Sequence, residues 1–360
     1  MPHFSNRNWP QRSRLKRLPP NHVRSDASGW LVGFVLALLV PVSAQAHVKW
    51  FAPYNVASAP VGLHKVLNPT FIELVVLALI IFWFVSSLER TRVGAELSRA
   101  IGAVFAGLRE RTDDLIRAGT AAFFVAIWTK GGIILTPELY TTSLLTTLLQ
   151  VGIAICLFWR STMILSAIGI FVLFFQGIWS YGLFHMMDYP IFLGAAVYLG
   201  MSGLRVELLF GLRPLDIARW GTGITLMWAS IEKWAYPGWS YPVLATHPQI
   251  TAGLDPRFYM IAAGMLEFAL AFSLLWSMLV RRAAAVVLLS MFTSAVIEFG
   301  KIDAIGHLLI IILLLAILAD DQPSVRPAPV LAPVYFSAAL TLTMLAYYLG
   351  HAALFATPVV

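Results

Sequence analysis

The sequence predicts an all-α protein, a polytopic membrane helix bundle of about ten transmembrane helices. Three observations predict it. The 360 residues are 59% hydrophobic and only 12% charged, against roughly 25% charged in soluble domains. Apolar runs near the roughly 20 residues that cross a bilayer recur along most of the chain. Arginines concentrate in alternate connections between those runs, the asymmetry of the positive-inside rule. A soluble enzyme is excluded. The net charge of +7 reads as topology rather than as a nucleic-acid surface, so no nucleic-acid partner is expected. The single cysteine, Cys156, lies in an apolar run, cannot form an intramolecular disulfide and implies no thiol chemistry.

Residues 1–46 read as a signal peptide: a basic leader, a short apolar core over 29–40, and Ala44-Gln-Ala46 as a small-x-small cleavage site. Cleavage would make His47 the mature N-terminus; an uncleaved anchor is the alternative. Residues 47–69 are Pro-rich and aperiodic, and read as a periplasmic segment. A first helix over about 70–88 leads to a basic loop carrying Arg90, Arg92, Arg99, Arg109, Arg111 and Arg117, which is therefore cytoplasmic. Within it, 93–108 alternates polar and apolar residues at helical spacing, as an interfacial helix does. Further helices are expected at about 118–136, 142–159, 162–184, 188–204, 217–236, 257–280, 283–300, 304–319 and 332–353. Arg160, Arg205, Arg213, Arg281, Arg282 and Arg326 fall in connections on the cytoplasmic side, Lys65 and Lys301 on the other. A Pro-rich cytoplasmic linker, 320–331, precedes the last segment, 332–360.

The middle of the chain resembles itself. Arg117-Ala-Gly119-Thr120 matches Arg219-Trp-Gly221-Thr222, the run from Gln150 to Trp159 matches that from Glu267 to Trp276, and Gly182 falls against Gly300. This gives two parallel four-helix units, 118–205 and 217–319. The second is richer in ionisable groups, since Gln150 becomes Glu267 and the first lacks equivalents of Glu232 and Glu298. The second unit is therefore expected to hold the chemistry.

The most conspicuous stretch is Glu298-Phe-Gly-Lys301-Ile-Asp303-Ala-Ile-Gly-His307, four charged or polar side chains between two apolar runs. Charges at membrane depth are costly and usually face a cavity or partner. On a helix, Glu298 and Lys301 would share a face, as would Asp303 and His307. Taken alone, the stretch also fits a polar turn with its charges at the lipid headgroups. Glu267 falls roughly mid-helix, where it is either functional or a buried polar group satisfied by a neighbour. Glu232 and Lys233, preceded by Trp228, close a helix and also fit an interfacial anchor. Candidate catalytic residues are Glu267, Glu298, His307, Asp303 and Lys233; candidate cofactor-binding residues are Glu232, Lys301 and Trp228. His47, whose amine and imidazole could chelate copper in one plane, is the candidate metal ligand; it also fits a mature N-terminal residue with no role.

The second unit resembles the DoxX-like membrane proteins, which include the small membrane subunit of thiosulfate:quinone oxidoreductase. The resemblance rests on the four-helix size, the Arg219-x-Gly221 opening, the helix-end Lys233, Glu267 in the second helix and Gly306-His307 at the start of the fourth. It covers 217–319 well and 117–204 weakly; the tandem duplication and the His47-Val-Lys-Trp-Phe start depart from a single small unit. It implies a bacterial cytoplasmic-membrane protein, often linked to redox or oxidative-stress systems; quinone is then the candidate cofactor, and other membrane or periplasmic redox subunits are the candidate partners. A cluster of acid, base and imidazole suits that chemistry, because a quinol releases protons as it is oxidised. The alternative is a non-enzymatic protein handling copper or another solute, or assisting assembly.

Overall fold

The computed structural model describes residues 48–322 and 328–355. The signal peptide, His47 and Arg326 lie outside them. Among the described residues the regular elements are helices, with two isolated bridges, Ile133–Tyr140 and Leu209–Leu212. Eleven helices carry the argument: α1 (Pro69–Leu88), α2 (Arg92–Val104), α3 (Thr112–Lys130), α4 (Leu144–Cys156), α5 (Met163–Tyr181), α6 (Pro190–Leu204), α7 (Pro214–Ala235), α8 (Pro256–Leu274), α9 (Met278–Phe299), α10 (Lys301–Ala319) and α11 (Leu331–Phe355).

Six of these, α1, α5, α8, α9, α10 and α11, are long and apolar enough to cross a membrane. α4 and α6 are apolar but shorter. α3 and α7 carry charges at both ends, Asp113, Asp114 and Lys130 in one, Asp216, Glu232 and Lys233 in the other. A helix therefore stands at each expected position, and six of them meet the length and composition of a span. Large apolar side chains stay exposed along the outer helices, among them Ile80, Phe84 and Phe175. Such apolar belts are rare on soluble monomers and fit hydrocarbon around a membrane protein.

Glycines set several ends that hydropathy does not. α3, α5 and α9 stop at Gly131, Gly182 and Gly300, with φ of 71°, 85° and 75° and extended ψ, a region nearly reserved for glycine that costs other residues about 1–3 kcal/mol. Proline opens α1, α6, α7 and α8 at their first turns, where its missing N–H costs nothing. The amphipathic α2 lies where an interfacial helix is expected and packs on α9.

The contacts run around a closed circuit. α3, α4, α5 and α6 pack in sequence, α6 packs on α7, α7 through α10 pack in sequence, and α10 returns to α3. α1 and α11 flank α8 through Phe82, Phe272 and Phe336, with Phe82 and Phe336 ring centroids 4.8 Å apart. One end of the bundle gathers arginines. Arg213 clamps Asp216 with two 2.8 Å hydrogen bonds and reaches Asp320 at 3.0 Å. Arg282 donates to the carbonyls of Ser98 and Asp320 at 2.8 and 2.9 Å. Arg281 and Arg282 were expected in a loop; both are buried near the start of α9, as its fourth and fifth residues. They stay there because Asp320 and the α2 backbone satisfy part of their hydrogen-bonding capacity. The opposite end holds the site.

Candidate functional site

The N-terminal segment, 48–62, lies across this second end as a strap. It starts with one 3₁₀ turn, Val48–Trp50. Three side chains on the bundle accept it at backbone carbonyls: Tyr236 Oη donates to Ser58 at 2.9 Å, Tyr348 Oη to Val61 at 2.8 Å, and His351 Nε2 meets Val56 at 2.9 Å. Residue 61 adds a backbone bond to Ala235, 2.8 Å long.

The strap carries Lys49 into the bundle. Its ammonium is buried between Asp188, in the turn before α6, and Glu232 near the end of α7, and pairs with both carboxylates. The rings of Tyr54 and Trp239 stand over it, each centroid 5.7 Å from Nζ. Burial pushes the ammonium pKa down, but Asp188 and Glu232 outweigh it, and Lys49 is raised above its ordinary value. It is held as a cation. Beside it, Trp50 lies on the bare backbone of Gly306 and against the imidazole of His307, centroids 4.8 Å apart.

A cavity of about 60 Å³ opens next to these residues. By the roughly 10–15 Å³ that one water needs on this measure, it has room for a few waters. Glu232, Lys233, Glu267 and His307 all reach its wall. Lys233 Nζ is 2.5 Å from Glu267 Oε2, so the near-mid-helix carboxylate is paired across α7 and α8. His307 Nδ1 is 2.9 Å from Asp303 Oδ2 one turn earlier, with Asp303 fully buried. A carboxylate on Nδ1 favours the tautomer whose lone pair is on Nε2. Phe292, centroid 4.6 Å from His307, closes that side.

Four of the eight described candidates thus share one cavity, and Asp303 stands directly behind one of them. The other three lie elsewhere. Glu298 and Lys301 are exposed, and Glu298 accepts a hydrogen bond from the Gln249 side chain. They fail to share a face because Gly300, at φ 75°, ends α9 between them and α10 starts in a new direction. Trp228 is buried against Phe184 and Tyr347, at centroid distances of 5.4 and 4.8 Å, and does not line the cavity.

The expectation that the second unit alone holds the site is too narrow. Asp188, Tyr189, Ile191 and Phe192, from the entry to α6, and Thr136 also line the cavity. Sequence reasoning missed Lys49, Asp188's pairing with it, and Glu138. Glu138 sits in the buried connection between α3 and α4, with an oxygen 4.0 Å from His185 Nε2. Burial raises its carboxyl pKa to about 7, and burial with the nearby Lys49 charge lowers His185 to about 3. At neutral pH the imidazole is uncharged, and the carboxyl gives up its proton far less readily than an exposed one. The signal for Lys49 was present: a lysine beside Trp50 and Phe51 immediately after the expected cleavage site.

No family model, no curated protein and no solved structure matches the chain. Among the described residues, no group of three or more His, Cys, Asp and Glu side chains is arranged to hold a metal. His47, the expected copper ligand, precedes the first described residue.

Proposed function

We propose that the chain is a redox-associated membrane protein whose site, at the strap end of the bundle, interacts with a quinone, and that this end faces the periplasm of a bacterial cytoplasmic membrane. The observation that carries the reading is the His307–Asp303 pair opening onto the same cavity as Glu232 and the Lys233–Glu267 pair. Quinol oxidation breaks two O–H bonds, releases two protons and passes two electrons onward. In this reading His307 Nε2 takes one proton, with Asp303 stabilising the imidazolium. A cavity carboxylate takes the other. The electrons pass to a partner redox subunit. Aromatic side chains on the wall, Tyr189, Phe192 and Phe292, suit a flat ring. The present volume excludes such a ring, so quinone access requires the strap to move.

The architecture is read as two parallel four-helix units within ten membrane crossings. Support comes from the reciprocal packing of first and last helices: α7 on α6, and α3 on α10. In each contact the first helix uses the glycine of its Arg-x-Gly opening. A Cβ at Gly221 would lie 2.9 Å from the Pro190 carbonyl oxygen, and one at Gly119 would strike Ile312 of α10. Gly182 and Gly300 end the matching third helices with the same sign of φ. The DoxX-like resemblance remains the family reading that this unit size suggests.

The test is extraction of the protein in mild detergent followed by lipid-phase analysis. Quinone near one per chain is expected in the wild type, lost in His307→Ala with membrane insertion and folding retained. Wild-type preparations with no quinone, and no thermal shift from a short-chain quinone, would overturn the reading. The second reading, non-enzymatic solute handling, is favoured by one observation, the small water-sized cavity walled by paired charges. Metal analysis of the same preparations tests its copper form: copper bound and lost on blocking the N-terminal amine supports it.

A further inference from the structure

We infer that the strap end of the bundle is built as an ammonium-binding cage, that Lys49 is its tethered occupant, and that a primary alkylammonium ion takes its place when the lysine is removed. The inference stands on the Lys49 side of the cavity and does not depend on the quinone reading.

The cage belongs to the bundle. Asp188 comes from the turn before α6, Glu232 from the end of α7, and Trp239 from the short helix Pro237–Thr246. Two carboxylates and an aromatic face are the groups that recognise an ammonium. Asp188 is buried, and its Oδ1 has no hydrogen-bond partner among the described residues, so the cage keeps acceptor capacity beyond what Lys49 uses.

The occupant belongs to no bundle helix. Lys49 sits on a three-residue turn, and from Phe51 to Gly62 the strap has no regular structure. It is attached by hydrogen bonds through its backbone, by Trp50 in the notch over Gly306, and by side-chain packing of Phe51 on Phe299 and Tyr54 on His185 and Trp239, with no helix or strand of its own beyond the first turn. An ordinary buried ion pair joins two packed elements that fold together. Here one partner is fixed and the other arrives on a tether, the arrangement of a ligand at high effective concentration. Withdrawal of Lys49 would leave two carboxylates facing each other beside the cavity, which is unfavourable unless a cation or proton replaces it.

The experiment uses the full chain in detergent, with thermal unfolding as the readout and n-propylammonium as the probe. Lys49→Ala removes three methylenes and the ammonium, the shape of that ion. Lys49→Ala is expected to melt below the wild type and to be restabilised saturably by n-propylammonium. Neutral n-propanol should fail to do so, as should tetramethylammonium, which is too bulky for the lysine channel. The wild type should not respond, and Lys49→Ala combined with Glu232→Gln should lose the response. Equal shifts in wild type and variant, equal shifts with propanol, or no shift in Lys49→Ala would each overturn the inference. If Lys49→Ala does not fold without the amine, recovery of folded protein only when n-propylammonium is present supports it, and no recovery counts against it.

A second measurement needs no lysine variant. Acylation of the wild type should modify exposed Lys65 and spare Lys49, and Glu232→Gln should raise Lys49 labelling at least several-fold. Labelling of Lys49 at the rate of Lys65 in the wild type would show that the cage is not occupied.

Discussion

Glu138→Gln is expected to make the protein more stable at alkaline pH, although it changes a buried residue beside the site. The carboxyl is almost fully buried in the α3–α4 connection, and its pKa stands at about 7 against 4.5 when unfolded. A raised acid favours folding most in its protonated form. Its contribution is fully present below pH 4.5 and is lost as pH rises through 7. From the two values, ionising Glu138 at pH 8 costs roughly 3 kcal/mol. The glutamine side chain keeps the shape and has no proton to lose. His185 works in the opposite direction: lowered from 6.5 to about 3, it adds stability above pH 6.5 that is lost as pH falls. The two residues therefore partly cancel in the wild type between pH 4.5 and 6.5. Subtracting the wild-type profile from that of the variant removes His185 and isolates Glu138. Reversible unfolding in mixed micelles, followed by circular dichroism from pH 4 to 8.5, provides the profiles. The difference should be near zero at pH 4.5 and grow to about 3 kcal/mol in favour of Glu138→Gln at pH 8. A pH-independent difference, or a variant less stable at pH 8, would refute the reasoning.

Two further outcomes follow from packing and charge. Gly306→Ala places a Cβ where the Trp50 ring lies, so the strap should lift at a cost of about 1–3 kcal/mol. Limited trypsin digestion after Lys49 should report it, with Gly350→Ala, whose Cβ would meet only Phe184 at 4.0 Å, as the silent control. Asp320→Asn removes the carboxylate serving Arg213 and the buried Arg281 and should cost about 3–5 kcal/mol in thermal unfolding. Asp321→Asn, whose partner Arg109 is 42% exposed, should cost under about 1 kcal/mol.

Much of the bundle is legible in the sequence because lipid imposes a severe rule: apolar length makes a helix, and any charge within it needs a reason. Glu267, Lys233, Glu232 and His307 stand out for that reason, and they reach one cavity. The same rule is silent where the chain leaves the apolar runs. Lys49 and Glu138 sit in aperiodic stretches, and only tertiary packing buries them. Glu298 and Lys301 mislead because a helical wheel continues through Gly300, whereas the backbone turns there. Arg281 and Arg282 show the converse: a pair of arginines reads as a loop, yet Asp320, almost forty residues later, draws them into the helix.

The strap also imposes an order on biogenesis. Part of its seat comes from α11, where Tyr348 and His351 hold the carbonyls of Val61 and Val56. A ribosome releases Lys49 some three hundred residues before His351, so the seat of the earliest part of the described chain is complete only once the last helix is in place. Until then the strap is held at its Lys49 end by Asp188, Glu232 and the notch at Gly306, and further along by Tyr236 and Ala235. Truncation before α11 would therefore be felt far from the cut, as a loosened 56–61 stretch of the strap, while α3 through α10 still close their circuit.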